Sequence, residues 1–176
     1  YQYQNRANLS PKNPMPQGRW LKVMVVEDDG PTRAMYQAHF DHWDMPIDVV
    51  LGVSGIEALL DIPLVKPQVL ITDLRMPDLD GLGLASRLVQ LPHGHRPEII
   101  FVSGHANLQD AIEAMQLGAR DLLLKPVDRE KLLKSIRAAL VAREGADKSG
   151  PAPASRRRLQ PSAVDSLQDD KIKVEV

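Results

Sequence analysis

The sequence predicts a doubly wound α/β fold, with five parallel strands in one sheet and five helices between and around them. Three observations carry this. Short runs of Val, Ile and Leu recur along the chain, apolar throughout, as strands covered on both faces are. Each is followed by a segment of helical spacing. Four of the runs end in residues that carry chemistry: Glu27-Asp28-Asp29, Asp73, Ser103 and Lys125. The crossover rule makes such a sheet parallel. All strand C-termini then open on one edge, where folds of this kind place their sites.

The elements follow in order. Leu21–Val26 is the first strand. Pro31–Trp43 reads as a helix, with Pro31 suited to a first turn. Ile47–Val53 is the second strand. Ser54 caps a short helix over Ile56–Asp61, with Glu57 in the capping-box position. Pro67 leads into strand Val69–Thr72. Leu82–Leu91 is a helix and Ile99–Val102 a strand. Asn107–Leu117 is a helix closed by Gly118. Leu122–Leu124 is the fifth strand. Asp128 caps a last helix over Arg129–Arg143, with Leu132, Leu133, Ile136, Ala139 and Leu140 at helical spacing. Residues 1–20 form a polar extension containing Pro11, Pro14 and Pro16. Residues 144–176 read as a linker or tail, rich in Gly, Ala, Ser and Pro up to Pro161, with basic and acidic residues balanced. The domain proper is 21–143.

Composition removes several classes of function. The formal net charge of -1 gives no global attraction to nucleic acid or anionic membrane. The absence of cysteine excludes disulfides, thiol catalysis and cysteine metal sites. No apolar stretch is long enough to span a bilayer, and the first residues lack a signal-peptide h-region, so a cytoplasmic location is expected.

The strand ends define a chemistry. Carboxylates gathered on one edge repel unless a cation joins them or one is protonated. An all-oxygen set without His or Cys suits a hard cation, usually Mg²⁺. A carboxylate can also act as a nucleophile and become an aspartyl-phosphate. Phosphoryl transfer asks mainly for positioning and charge neutralisation. Asp73, alone in mid-edge before a Pro/Gly turn, is therefore assigned as nucleophile. Glu27 and Asp28 hold the metal with Asp73, one of them through water, and the Arg75 backbone carbonyl is a third protein ligand. Ser103 donates to a phosphoryl oxygen, Lys125 pairs with it, and Gly104 keeps the approach open.

The motifs V-V-E-D-D, D-L-R-M-P-D-L-D-G, F-V-S-G-H and G-A-R-D-L-L-L-K-P stand in this order. They place 45 residues between Asp28 and Asp73, 30 from there to Ser103 and 22 more to Lys125. Over about Lys22–Arg143 the chain resembles a CheY-like receiver domain of two-component response regulators. The resemblance implies a flavodoxin-like (βα)5 fold and Mg²⁺-dependent phosphorylation of Asp73 by a histidine kinase or phosphotransfer protein. It implies a signalling switch that assists only its own phosphorylation and dephosphorylation, a cis peptide before Pro126, and control of an effector domain or partner protein. In that family the Ser103-type hydroxyl moves inward and remodels the face formed by the fourth helix, fifth strand and fifth helix. One departure stands out. The family usually carries Tyr or Phe where this chain has Leu122, and leucine cannot swing a ring in and out. Coupling is then expected either to be weaker or to run through His105 and the fourth helix. A homodimer on that face is a candidate assembly, although Asp110–Leu117 lacks the basic residues used by one dimerising subgroup.

Other readings stand beside this one. A phosphate-independent pseudo-receiver, a docking module, is kept in view by Leu122. A phosphatase of the haloacid dehalogenase type wants D-x-D, and Asp73-Leu74-Arg75 lacks the second acid. Asp29 is expected to cap a helix, and Asp78 and Asp80 to serve turns. His39 and His42, one helical turn apart, are expected to be solvated; His93, His95 and His105 fall in loops. Arg156-Arg157-Arg158 reads as a solvated linker rather than a nucleic-acid contact, and no helix-turn-helix is apparent.

Overall fold

Five strands and five α-helices alternate along residues 20–148, the part of the chain that this computed structural model describes. The order is β1 (Leu21–Val26), α1 (Gly30–Phe40), β2 (Ile47–Gly52), α2 (Gly55–Val65), β3 (Val69–Asp73), α3 (Gly81–Leu88), β4 (Glu98–Ser103), α4 (Leu108–Gln116), β5 (Asp121–Leu124) and α5 (Arg129–Lys148). The strands form one parallel sheet in the order β2-β1-β3-β4-β5. The order reverses between β1 and β3, and that switch point is where such a sheet opens a crevice.

Alternation along the strands divides the core into two layers. Val23 and Val25 of β1 and Ile71 of β3 face α1 and α5, packing with Tyr36, Phe40, Leu132 and Ile136. Met24 and Val26 of β1 and Leu70 of β3 face the other way, packing with Ile62, Leu74, Leu84, Leu88 and Phe101. All five residues of β3 are buried. Each such Val, Ile or Leu contributes about 1.5–3 kcal/mol through burial. Asp73 is thus carried on the best-anchored strand.

Several boundaries differ from the sequence reading, mostly by one residue; α3 stops at Leu88 rather than Leu91, and the ends of α1, α2 and α5 have clear causes. α1 stops at Phe40, because Trp43 folds back, its N–H donating to the Phe40 carbonyl and its ring centroid lying 6.2 Å from that of Phe40. α2 runs on to Val65 through Pro63, since Ile62 and Val65 continue the buried face of Ala58. α5 runs on to Lys148, beyond the expected end at Arg143. Arg143 fastens it by donating to the carbonyls of Arg96 (2.6 Å) and Gly94 (3.4 Å), and a helical glycine such as Gly145 costs only about 1 kcal/mol. His93–His95, expected as loop, forms one 3₁₀ turn. The expected caps are present: Ser54 accepts from the Glu57 amide and Asp128 from the Lys131 amide. The polar extension, the rest of the tail and Arg156-Arg157-Arg158 lie outside the described residues.

Candidate functional site

The crevice is assembled from four strand ends. β1 continues in line into Glu27, whose amide donates to the Gly52 carbonyl at 3.1 Å. Glu27 is buried, at 1% exposure. Its Oε1 accepts from the Asp29 amide (3.0 Å) and its Oε2 from Lys125 Nζ (2.8 Å). Asp28 is exposed beside it. Arg33, one turn into α1, crosses back and donates to the carbonyls of Glu27 (2.7 Å) and Asp28 (2.8 Å). The loop that presents both acids is therefore held by a guanidinium that the strand-end pattern did not single out.

Asp73 ends β3 opposite Val102. Its Oδ1 accepts from the Arg75 amide at 3.0 Å and its Oδ2 from Lys125 Nζ at 2.5 Å. Lys125 follows β5, its amide donating to the Ser103 carbonyl, and the Lys125–Pro126 peptide is cis, as the resemblance implied. The Lys125 ammonium spans Glu27 and Asp73, neutralising part of their repulsion. Ser103 is buried at the end of β4, and its Oγ accepts from the His105 amide at 3.2 Å. His105 itself is exposed. Leu122 pairs with Phe101 in the register, half-buried, and packs into the α2–α3–α4 layer.

Glu27, Asp28 and Asp73 each offer an oxygen within 4.8 Å of the others. These three form the one such group among the described residues, so His39 and His42 make no ligand set. His39 is also not simply solvated: its Nε2 lies 3.1 Å from the Val127 carbonyl, and Arg129 donates to the His39 carbonyl, tying α1 to the start of α5. Three carboxylates against one ammonium leave the edge net negative, and an all-oxygen set of this kind fits a hard divalent cation.

The field of this cluster is felt by its neighbours. Burial pushes the Glu27 carboxyl above its ordinary value, outweighing the hydrogen bonds from Lys125 and Asp29. Burial pulls the Lys125 ammonium down, but its hydrogen bonds to Asp73 and Glu27 prevail and hold it above its ordinary value. Burial also pushes up the phenol of Tyr36, helped by the charges of Glu27 and Asp73.

The surrounding turns are fixed by carboxylates. Asp29 caps α1, as expected, and Asp80, expected to serve a turn, caps α3. Asp78 does more, reaching across the chain to accept from the amides of Ile56 (3.1 Å) and Gly55 (3.4 Å) at the start of α2. Those hydrogen bonds, the one from Ile56 first, hold its carboxyl at about 2, below the ordinary 3.8. A depressed carboxylate stabilises the fold above its ordinary pKa and loses that contribution as the pH falls through its folded value. Asp78→Ala is therefore expected to lower the urea midpoint at neutral pH, with the gap to the parent closing as the pH falls from 3.8 towards 2. A pH-independent gap in urea titrations would count against this capping role.

Two further residues escaped the sequence reading. Asp110, buried at 4% exposure in the first turn of α4, pairs with the Arg75 guanidinium. Its signal was present in the Asn107-x-x-Asp110 spacing, a capping box that the structure contains. Gly81 sits against the Asp73 carbonyl so closely that a Cβ there would lie 2.3 Å from it. A concavity of about 420 Å³ on the outer side of α4, lined by Ala111, Ile112, Met115 and Gln116, carries no titratable group and is separate from the acid edge.

The comparisons with known proteins agree with this geometry. The family model for the response regulator receiver domain matches residues 23–137. The regulatory protein LuxO of Vibrio cholerae is 29% identical over 118 residues, which are 66% of this chain and 25% of LuxO. The response regulator protein TodT of Pseudomonas putida is 45% identical over 71 residues, 40% of this chain and 30% of TodT. The chain thus spans about a quarter to a third of the length of these relatives. Among solved structures, the signal receiver domain of a putative LuxO repressor from Vibrio parahaemolyticus superposes with a TM-score of 0.68 at 26% identity, covering 76% of this chain and all of that one. Strand order, the acid edge at the β1/β3 switch point and a family match across most of the chain converge, and the chain belongs to the response regulator receiver domain family.

Proposed function

We propose that this receiver domain accepts a phosphoryl group on Asp73 from a histidine kinase or a histidine phosphotransfer protein, and that the phosphorylated form controls an effector domain or partner. The observation that supports it best is the convergence of Glu27, Asp28, Asp73 and Lys125 at one edge, with an oxygen of each carboxylate within 4.8 Å of the others and the lysine bonded to Glu27 and Asp73. Glu27, Asp28 and Asp73 would hold Mg²⁺, with the Arg75 carbonyl as a further ligand. When bound, the ion supplies neutralisation of the charge on the phosphoryl oxygens.

In the transfer, an Asp73 carboxylate oxygen forms the bond to phosphorus. The donor P–N bond breaks, and its electron pair stays on the imidazole. The Lys125 ammonium leaves Asp73 Oδ2 for a phosphoryl oxygen, keeping its charge at the site. Ser103, whose oxygen accepts from His105, has its proton available to donate to a second phosphoryl oxygen. Water attack on phosphorus breaks the P–O bond to Asp73, releases inorganic phosphate and returns Asp73 to a carboxylate. The chain is a switch in this reading, with no turnover of a separate substrate and no direct contact to nucleic acid or membrane. No described helix is long and apolar enough to cross a membrane, which accords with a cytoplasmic site of action. On the α4–β5–α5 face, Leu108, Ile112, Met115 and Leu124 are exposed and available to an effector or a second copy.

The half-buried Leu122 supports a second reading, a docking module indifferent to phosphate. Intact mass decides between them. Incubation with Mg²⁺ and acetyl phosphate is expected to give a single phosphoryl adduct that is lost in EDTA and absent from Asp73→Asn. The absence of any adduct on the parent chain would favour the docking module.

A further inference from the structure

We infer that Arg75 is a positioning residue whose ion pair with Asp110 links the acceptor loop to α4. The inference rests on the receiver reading above and adds a route between site and output face that does not pass through Leu122.

Arg75 touches the site at one end and α4 at the other. Its amide donates to Asp73 Oδ1 at 3.0 Å. Its guanidinium pairs with Asp110 Oδ1 and lies 3.7 Å from Asp80 Oδ2, the cap of α3. Asp110 is engaged on both oxygens, since its Oδ2 accepts from the Asn107 amide at 3.3 Å. Its own amide donates to Asn107 Oδ1 at 2.8 Å, closing the capping box. The same loop reaches back to the site through His105, whose amide donates to Ser103 Oγ.

α4 has few other inward ties. Only Asp110 and Ala114 of its nine residues are buried, while Leu108, Ile112 and Met115 are exposed. One of its two buried residues is thus a carboxylate. A buried carboxylate needs a partner, and removing that partner leaves an uncompensated charge. The first turn of the helix and the Asn107 amide supply some compensation; Arg75 supplies the opposite charge. The arginine is therefore tied to α4 through its side chain and to Asp73 through its main chain. A shift of the loop on occupancy of the site pulls on the first turn of α4, and a partner that moves α4 pulls on the loop. Linkage makes these two effects equal in free energy.

The test is a double-mutant cycle read in Mg²⁺ affinity and in amide exchange of α4. Arg75 is exposed at its side chain and Asn at position 110 keeps an oxygen for the cap, so Arg75→Gln and Asp110→Asn are both expected to fold. Each is expected to weaken Mg²⁺ binding, measured calorimetrically with the metal alone, by about fivefold or more, and to speed exchange at Ala111 and Ile112. Arg75→Lys, which keeps the charge, is expected to recover most of the affinity. The double variant is expected to be no weaker than either single one, because one interaction can be lost only once. Additive losses, or Mg²⁺ affinity unchanged in both single variants, overturn the inference: Asp110 would then be a helix cap and nothing more. If the parent chain binds Mg²⁺ but takes no phosphoryl group, the acceptor reading fails and the cycle still decides the coupling. If it binds no Mg²⁺, both fall.

Discussion

Gly81→Ala is expected to lower stability by about 3 kcal/mol, the upper end for forcing atoms into a packed site, which for a domain of this size lowers Tm by about 10 °C. The added Cβ would lie 2.3 Å from the Asp73 carbonyl oxygen, 3.1 Å from its carbon and 3.2 Å from Leu74 Cα. All three are backbone atoms, so no flexible side chain can yield. The Gly81 amide also donates to the Leu74 carbonyl at 3.1 Å, so α3 cannot back away without losing the contact that seats it on β3. The structure must move at the end of β3, which carries Asp73. Acceptance of a phosphoryl group is therefore expected to slow about a hundredfold, as follows when a reacting group is misplaced by about an ångström. Gly104→Ala is the control. A Cβ there meets nothing within 4 Å, so stability is expected to hold or rise slightly. Melting curves for the two variants decide the matter; a Gly81→Ala protein that melts with the parent would sink the argument.

The contrast between what the sequence disclosed and what it withheld has a physical pattern. β1 and β3 were legible because a strand buried on both faces must be apolar without interruption, and few other segments are. Glu27, Asp73 and Lys125 were legible because a charge placed where an apolar run stops is poorly explained by packing. Asp128 and Ser54 were legible as caps because capping uses a short, local spacing. What the sequence withheld is non-local or steric. Asp110 lies 35 residues from the arginine it binds, and nothing in the local pattern chooses that partner. Asp78 reads as a turn residue until the start of α2, 22 and 23 residues earlier in the chain, is seen to supply its donors. The need for glycine at position 81 comes from a main-chain oxygen on another element. Helix ends failed for a related reason: α2 passes through Pro63 and α5 through Gly145 because tertiary contacts outweigh the local preference of one residue.

Lys125→Met is expected to separate the two roles of the lysine, because one is felt without a phosphoryl group and the other only with it. In the resting domain Nζ is 2.8 Å from Glu27 Oε2 and 2.5 Å from Asp73 Oδ2. Methionine preserves the length of the stem and removes both charge-assisted bonds, leaving Glu27 buried with a single amide donor. Loss of a partner from a buried charged group costs about 1–3 kcal/mol, so a drop of about 2 kcal/mol is expected in EDTA at neutral pH. Glu27 already has a raised carboxyl, and removing the ammonium raises it further. The penalty then exists where Glu27 is ionised, and it fades as the pH falls towards the ordinary value of 4.5 and the carboxyl takes up a proton. Adding Mg²⁺ at neutral pH should recover most of the loss, since binding to the folded form alone stabilises it by mass action. Phosphoryl acceptance should not recover. The missing ammonium is one of the fixed positive groups facing the transferring oxygens, and removing such a group slows a reaction by about a hundredfold or more. A variant rescued by Mg²⁺ in stability but not in labelling would assign the lysine to both tasks. Equal stability to the parent in EDTA would mean that the paired carboxylates do not need it, and full labelling would remove it from the transfer.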